Sequence, residues 1–479
     1  MSKTRILYIV HHFPQISETY IRSEIEALAD DYDIRVVSLN QADYPYKTHA
    51  PYQVMDDPAT IDEAIAEFRP DVLHTHWLEL ARVIAYFAGF FGGRPTIPFT
   101  IRTHSFDVLE QKSRLISESA DIVNSDVCLG ILGFPFSRPL LEGGGVRPEK
   151  IHDCFPVVNY QRFFDTSPNG SGVMNVGACL PKKQMEDFLE LACLQPDRQF
   201  DLYALGYKTS EMSKLNASRG NPVKIIPPVE PEAMAPEYKK HEWLVYTASR
   251  HANSVGWPMA VAEAQAAGVG VCLPNLRPDL REYVGEAGFL YDSIGEVAEL
   301  LRKPFPEELR QAGFEHAKKS DVNLHKSILT DLWTKADGSR RIVSDGGHVA
   351  PWGDGGTALE KKVRLRLSIQ ELTAAIPPGL TYALIDEGAL TGQLPSDRRV
   401  LPFPERDGQF WGPPSDDLSA IEELKRQRLD GTDFLVFAWP AFWWLDHYSN
   451  FNRRLRDDAG MVLENNRLVV FDLRQMAAI

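Results

Sequence analysis

Glu263 is the one carboxylate in the alanine-rich stretch SVGWPMAVAEAQAAG, residues 254–268. Gly256 and Pro258 suit a tight turn that opens a helix, since proline is accepted in a first turn. Ala260, Val261, Ala264 and Ala267 suit close helix packing. A solvated face explains an acid among such residues poorly, whereas a carboxylate aimed into a cleft accepts two hydrogen bonds from a vicinal diol. Lys182 and Lys183 follow a strand and precede a helix in the segment NVGACLPKKQMEDF. An ammonium there neutralises a diphosphate without bidentate geometry; a solvated lysine pair is the equally ordinary reading.

Three earlier strand ends carry histidine. They are HHFPQISETY, HTHW (His74, His76, Trp77) and RTHSFD (Arg102, His104, Asp107). In parallel sheets ligands bind beyond the carboxyl ends of strands. His and Asp are zinc ligands, but these spacings match no metal motif, so no metal is expected. His74, inside its strand, is expected to bond a neighbouring backbone group; His104, at the mouth, is the functional candidate. The segment ISETY opens a helix directly after the first strand, with Ser17 suited to its N-cap. Such a terminus carries roughly half a positive charge and free N–H groups, and favours a phosphate or carboxylate. No GxGxxG stands there, which removes the main support for a nicotinamide dehydrogenase.

These residues need a frame, and the pattern supplies one. RILYIV, DIRVVSL, DVLHTH, PFTIRTH and ADIVNSD read as strands, alternating with the helical SETYIRSEIEALAD, TIDEAIAEF and LELARVIAYFAGFF. The alternation repeats from GVMNVGA to EELRQAGFEHAKK, which implies two parallel sheets with helices on both faces. Domains are expected at residues 1–160 and 161–337, with a cleft between them. The glycine-rich DGSRRIVSDGGHVAPWGDGG reads as a linker over 338–358. An aromatic-rich α/β module is expected over 359–479. Its Trp443, Trp444, Asp446, His447 and Tyr448 could stack on sugar rings, though aromatics at helical spacing are more often core.

Composition narrows the partners. The chain has 479 residues, 44% of them hydrophobic and 24% charged, with a formal net charge of -15. Several domains and no nucleic-acid partner are implied. Five cysteines without a CxxC pair fit a reducing cytosol better than a disulfide framework. The N-terminus reads as a buried strand, not a signal peptide. RVIAYFAGFFGG is too short to cross a bilayer and reads as core.

The order of these motifs resembles that of GT-B-fold glycosyltransferases, and specifically glycosyltransferase family 4 of the bacterial exopolysaccharide type. GWPMAVAEAQAAGVGVCLPN is similar to that family's donor-site signature, and FPQISETYIRSEI, DVLHTHW and THSFD to its N-terminal elements. The resemblance covers about residues 4–335. It implies that Glu263 holds the donor ribose, Lys183 the diphosphate, and that His104 touches the donor sugar near its reacting carbon. It places Ser17, Glu18, His76, Asp107, Lys182, Arg250, Ser254, Gly256, Trp257 and Pro258 around the substrate. Implied with it are a retaining, metal-independent transfer from a UDP- or GDP-linked sugar, with no further cofactor. The acceptor would be a saccharide or lipid-linked saccharide, met in the cytoplasm or peripherally at the inner membrane face, by a chain that can self-associate. Three positions depart from the pattern. Val255 stands where a second glutamate is usual, Ala178 where an arginine is, and Ser105 where a glycine is. Nearby Arg250, Asn253 and Ser254 are the candidates to compensate. The competing reading is a glycosyltransferase-like scaffold that has lost turnover; a sugar-nucleotide epimerase of similar architecture fits the SETYIRSEI segment poorly.

Overall fold

The computed structural model describes residues 3–55, 59–91, 95–110, 112–206, 208–251, 255–336, 358–390, 392–465 and 467–476. The linker expected at 338–358 lies almost wholly outside them. The chain divides into two compact units, Met1–Gly346 and Gly347–Ile479.

The first unit holds two parallel sheets. One takes β1 (Arg5–His12), β2 (Asp33–Asn40), β3 (Tyr52–Val54), β4 (Val72–His76), β5 (Phe99–Arg102), β6 (Cys128–Gly133) and β7 (Ile151–Asp153) in the order 3-2-1-4-5-6-7. The other takes β8 (Gly172–Ala178), β9 (Phe200–Leu205), β10 (Lys224–Ile226), β11 (His241–Val245), β12 (Gly270–Pro274) and β13 (Gly288–Tyr291) in the order 10-9-8-11-12-13. Successive side chains on a strand face opposite ways, and the second sheet divides its apolar residues accordingly. Met174, Leu244, Val271 and Leu273 join one core; Val173, Trp243, Val245 and Cys272 join the other. Both faces are therefore covered by helices, as continuous apolar strands require.

Two local expectations change. ADIVNSD is not a strand: residues up to Asn124 complete the helix Lys112–Asn124, whose Ile116, Ala120 and Val123 are buried. These positions fall at helical spacing, and the strand follows at Cys128. Ser17 does not cap the first helix; it lies in a 3-10 turn, Ile16–Glu18, and the helix Thr19–Leu28 begins with no side-chain cap. In RVIAYFAGFFGG, every residue of the helix Ala81–Phe87 is buried. Among the described residues, no helix is long and apolar enough to cross a membrane.

The last helix among the described residues of this unit, Val322–Thr334, returns to the first sheet. Its Leu329, Leu332 and Trp333 enter the core formed by Ile6, Tyr8 and Val10. Two chain segments thus connect the domains, and they are bonded to each other. Val158 N–H donates to Ser320 O at 2.9 Å, and Val322 N–H to Val158 O at 2.9 Å.

The second unit is a mixed sheet of β14 (Thr381–Ile385), β15 (Arg399–Pro402), β18 (Phe434–Ala438), β19 (Gly460–Glu464) and β20 (Leu468–Asp472), ordered 15-14-18-20-19. A small hairpin, β16 (Glu405–Arg406) and β17 (Gln409–Phe410), precedes β18. Its aromatic run splits: Trp444 and Tyr448 are core, while Trp443 is 43% exposed and donates its indole N–H to Glu387 Oε1.

Candidate functional site

The carboxyl ends of both sheets of the first unit face one cleft of about 490 Å³. Ser17, Glu18, His104, Lys182, Lys183, Gly256, Trp257, Pro258 and Glu263 line it. His76 and Asp107 stand behind His104 instead, and Arg250 faces away, held by Tyr291 O at 3.2 Å and by Asp292. Ser254 and Asn253 lie outside the described residues.

The first-domain wall is built by strand register. Tyr8 pairs with His74, His74 with Thr100, and His76 with Arg102. The helix Thr19–Leu28 lays Glu24, 1% exposed, over these residues. Glu24 Oε1 accepts from Tyr8 O–H at 3.0 Å and from His76 Nε2 at 3.3 Å. Glu24 Oε2 accepts from Arg102 Nε at 2.9 Å. His76 Nδ1 meets His104 Nε2 at 3.1 Å. The His104 backbone N–H donates to Asp107 Oδ2 at 2.8 Å. Burial alone would raise the Glu24 carboxyl; the Arg102 charge and the two imidazoles outweigh it and hold it well below the ordinary carboxylate range. Burial pushes His76 down to about 4 and, with His76 and Arg102 beside it, carries His104 well below the ordinary histidine range. Burial lifts Asp107 to about 7, against the backbone N–H groups that favour its charged form.

The opposite wall is less paired. Glu263 accepts from Tyr238 O–H at 2.7 Å, and burial raises its carboxyl to about 7. The Lys183 ammonium lies 4.2 Å from the Tyr246 ring centre, and no carboxylate within ion-pair reach is found for it among the described residues. Burial, then the Lys182 charge, pushes it down to about 7. Trp257 is structural as well as lining: it is 3% exposed, stacks on Tyr283 at 4.9 Å, and donates to Asp279 Oδ2 at 2.8 Å. A side chain on Gly256 would meet Ser105 Cβ at 2.4 Å, so the two walls touch where only glycine fits. Val255, 3% exposed, belongs to the apolar core of the second domain.

Sequence reasoning missed two groups. Glu24 organises the first wall yet sits in SEIEAL, which reads as an ordinary helix face. Arg162 lines the cleft from the short helix Tyr160–Phe163 and donates to Glu26 Oε2 at 2.9 Å. It carries a cation into a cleft where Ala178 carries none. Glu24, His74 and His76 also bring three donor atoms within 4.8 Å of one another, which matches a metal ion in number. Their one carboxylate is already neutralised by Arg102, so a divalent ion would add buried charge without a counter-ion.

Two tandem parallel sheets with a cleft between their carboxyl ends define the GT-B class of fold, and solved structures bear this out. No family model matches the sequence, and no curated protein matches it. HepE from Anabaena, in complex with UDP and glucose, is 14% identical with a TM-score of 0.56, over 69% of this chain and 99% of that one. Sucrose-phosphate synthase from Thermosynechococcus elongatus is 15% identical with a TM-score of 0.53, over 70% of this chain and 100% of that one. A glycosyltransferase from Rickettsia africae is 13% identical with a TM-score of 0.50, over 71% and 100%. What is shared at such identities is the fold, and the chain carries a glycosyltransferase fold.

Proposed function

We propose that the first unit is a glycosyltransferase of the family 4 type that moves a hexose from a UDP- or GDP-linked sugar to a saccharide or lipid-linked saccharide, in polysaccharide assembly. The observation that carries the reading is the pairing of Glu263 and Lys183 in one cleft. Each is pushed by burial to about 7, and neither has an opposite charge bonded to it. A ribose diol answers the carboxylate and a diphosphate answers the ammonium, so one nucleoside diphosphate satisfies both. The UDP bound to HepE in its complex supports the same class of ligand.

The chemistry follows from charge placement. Lys183, with Lys182 and Arg162 nearby, stabilises the charge that develops on the leaving diphosphate. The acceptor oxygen attacks the sugar carbon from the face the diphosphate leaves. The carbon–oxygen bond to phosphate breaks, and the departing phosphate oxygen takes the acceptor's proton. Attack and departure on the same face retain the configuration at the sugar carbon, and the cations stabilise the leaving diphosphate. A lipid-linked acceptor would bring the protein to the inner face of the membrane. The scaffold reading has its own support: Val255 buries a methyl pair where a donor-binding carboxylate is usual.

Calorimetric titration of UDP, GDP and their sugar conjugates into the protein and Glu263→Ala, with product release followed in the same samples, tests this. Tight binding of one nucleotide, lost in the variant, with slow donor hydrolysis, is the expected result. Binding without release in the presence of acceptors would support the scaffold, and no binding at all would remove the donor-site assignment.

A further inference from the structure

A line of side chains runs from the core of the first domain to the wall of the cleft, and its hydrogens converge from both ends on Glu24. At the inner end, Trp333 Nε1–H donates to Thr100 Oγ1 at 3.1 Å. An indole nitrogen only donates, and the Thr100 oxygen that accepts from it lies 2.7 Å from His74 Nδ1. His74 Nε2 lies 3.2 Å from Glu24 Oε1, and beside a carboxylate that only accepts the neutral ring carries its hydrogen on Nε2, which leaves Nδ1 to take the Thr100 hydroxyl proton. Arg102 also only donates, and it occupies Glu24 Oε2. Tyr8 O–H takes a place on Oε1. Tyr8 and Arg102 therefore point their hydrogens at Glu24, and an ionised carboxylate only accepts.

His76 must obey the same polarity. Its Nε2 faces Glu24 Oε1 and so carries the hydrogen. Burial keeps the ring neutral, its conjugate acid pushed down to about 4. Nδ1 is then a bare lone pair, and the hydrogen between the two rings belongs to His104 Nε2, at 3.1 Å. His104 Nδ1 has no hydrogen-bond partner among the described residues, on a side chain that lines the cleft. The charged and titratable neighbours of His104 are His76, Arg102, Glu24 and His74 behind it, Asp107 on its own backbone N–H, and the Tyr20 ring, 4.6 Å between centres.

We infer that Glu24 and His76 are positioning residues that fix His104 as the Nε2–H tautomer, so that its Nδ1 offers the cleft a hydrogen-bond acceptor and takes a hydroxyl of the bound sugar. The sugar in this statement rests on the glycosyltransferase reading; the tautomer does not. The division of labour across the cleft follows. Anionic groups go to the lysine wall, and the histidine wall recognises only a donor. A phosphate oxygen, which brings no hydrogen, is repelled by a bare lone pair.

The test is the nitrogen spectrum of the full chain labelled in histidine, with His104→Gln assigning the resonances. Near neutral pH, Nδ1 of His104 is expected to show the shift of an unprotonated ring nitrogen and Nε2 that of a protonated one. Glu24→Gln then reverses the chain. Arg102 must keep the carboxamide oxygen, so the amide NH2 faces His76 Nε2 and donates to it. His76 becomes protonated on Nδ1, and His104 moves its proton to its own Nδ1. A merely structural role for Glu24 predicts no such exchange of shifts. By calorimetry, Glu24→Gln should weaken a sugar conjugate ~10-fold while leaving the bare nucleotide nearly unchanged, the size expected for a mispaired buried donor.

Protonated Nδ1 or a charged ring in the wild type overturns the inference, as does a Glu24→Gln spectrum with the proton unmoved. So does zinc at one equivalent shifting His74 and His76 together, because a metal would claim His76 Nε2. Should Glu24→Gln fail to fold, the wild-type spectrum alone still decides. Should no nucleotide bind, the functional reading falls while the tautomer is judged by its own signal.

Discussion

The two walls of the cleft solve the problem of buried charge in opposite ways. Around Glu24 the first wall pairs its charges within the protein, through Arg102, Tyr8 and His76. The second wall leaves Lys183 and Glu263 with only an aromatic ring and a tyrosine hydroxyl. Burial marks the two differently: on the first it keeps His76 and His104 neutral, whereas on the second the ammonium falls and the carboxyl rises until both meet near 7. A wall whose charges are answered internally gives shape. A wall whose charges are unanswered gives affinity, because a ligand that supplies the counter-charges removes the burial penalty.

Breaking the internally paired wall should have the largest effect. Arg102→Met strands the Glu24 carboxylate in the core and should lower stability by about 3–5 kcal/mol, read from urea unfolding. Next comes the ligand-facing wall. Lys183→Met should weaken nucleotide binding ~100-fold with little change in stability, since it removes a charge-assisted contact to a diphosphate. Glu263→Gln sharpens the contrast through pH. The folded carboxyl titrates at about 7, above its ordinary 4.5, so its contribution to stability is present below pH 4.5 and lost as pH rises through 7. Glu263→Gln should thus gain on the wild type between those values, by ~3 kcal/mol in unfolding measured at both ends. The smallest effect is expected from Arg250→Ala. Its guanidinium is held by Asp292 and two carbonyls on the exposed rim, so nucleotide affinity should change less than ~3-fold in the same titration.

A fourth measurement joins the two charges. Binding should drive a proton off Glu263 and one onto Lys183, so net proton exchange near pH 7 nearly cancels in the wild type. Calorimetry in buffers of different ionisation enthalpy should show release for Lys183→Met and uptake for Glu263→Gln.

What the sequence discloses divides along the same line. The parallel sheets are legible because strands buried on both faces appear as short apolar runs, and RILYIV and GVMNVGA cannot be much else. Glu263 stands out because it breaks its local pattern, whereas Lys183 is singled out by the resemblance alone; both line the cleft. ADIVNSD misleads because two adjacent β-branched residues at a helix end resemble a strand start. Glu24 is invisible for a physical reason: its burial is decided by His74, His76 and Arg102, which reach it through sheet register from far along the chain. Trp443 and Trp444 are adjacent in sequence, yet one is 43% exposed and the other 2%, a difference only the packed module decides.

The return of the helix Val322–Thr334 to the first sheet has a mechanical corollary. The second domain is topologically an insertion, tethered at both ends to one body. Its two tethers are zipped by the bonds between Val158 and the Ser320–Val322 segment. A single strand would swivel about its long axis; a zipped pair bends chiefly across its width. Paired tethers leave fewer ways for the cleft to open than a single one would, and Ser105 against Gly256 marks where its walls meet when closed.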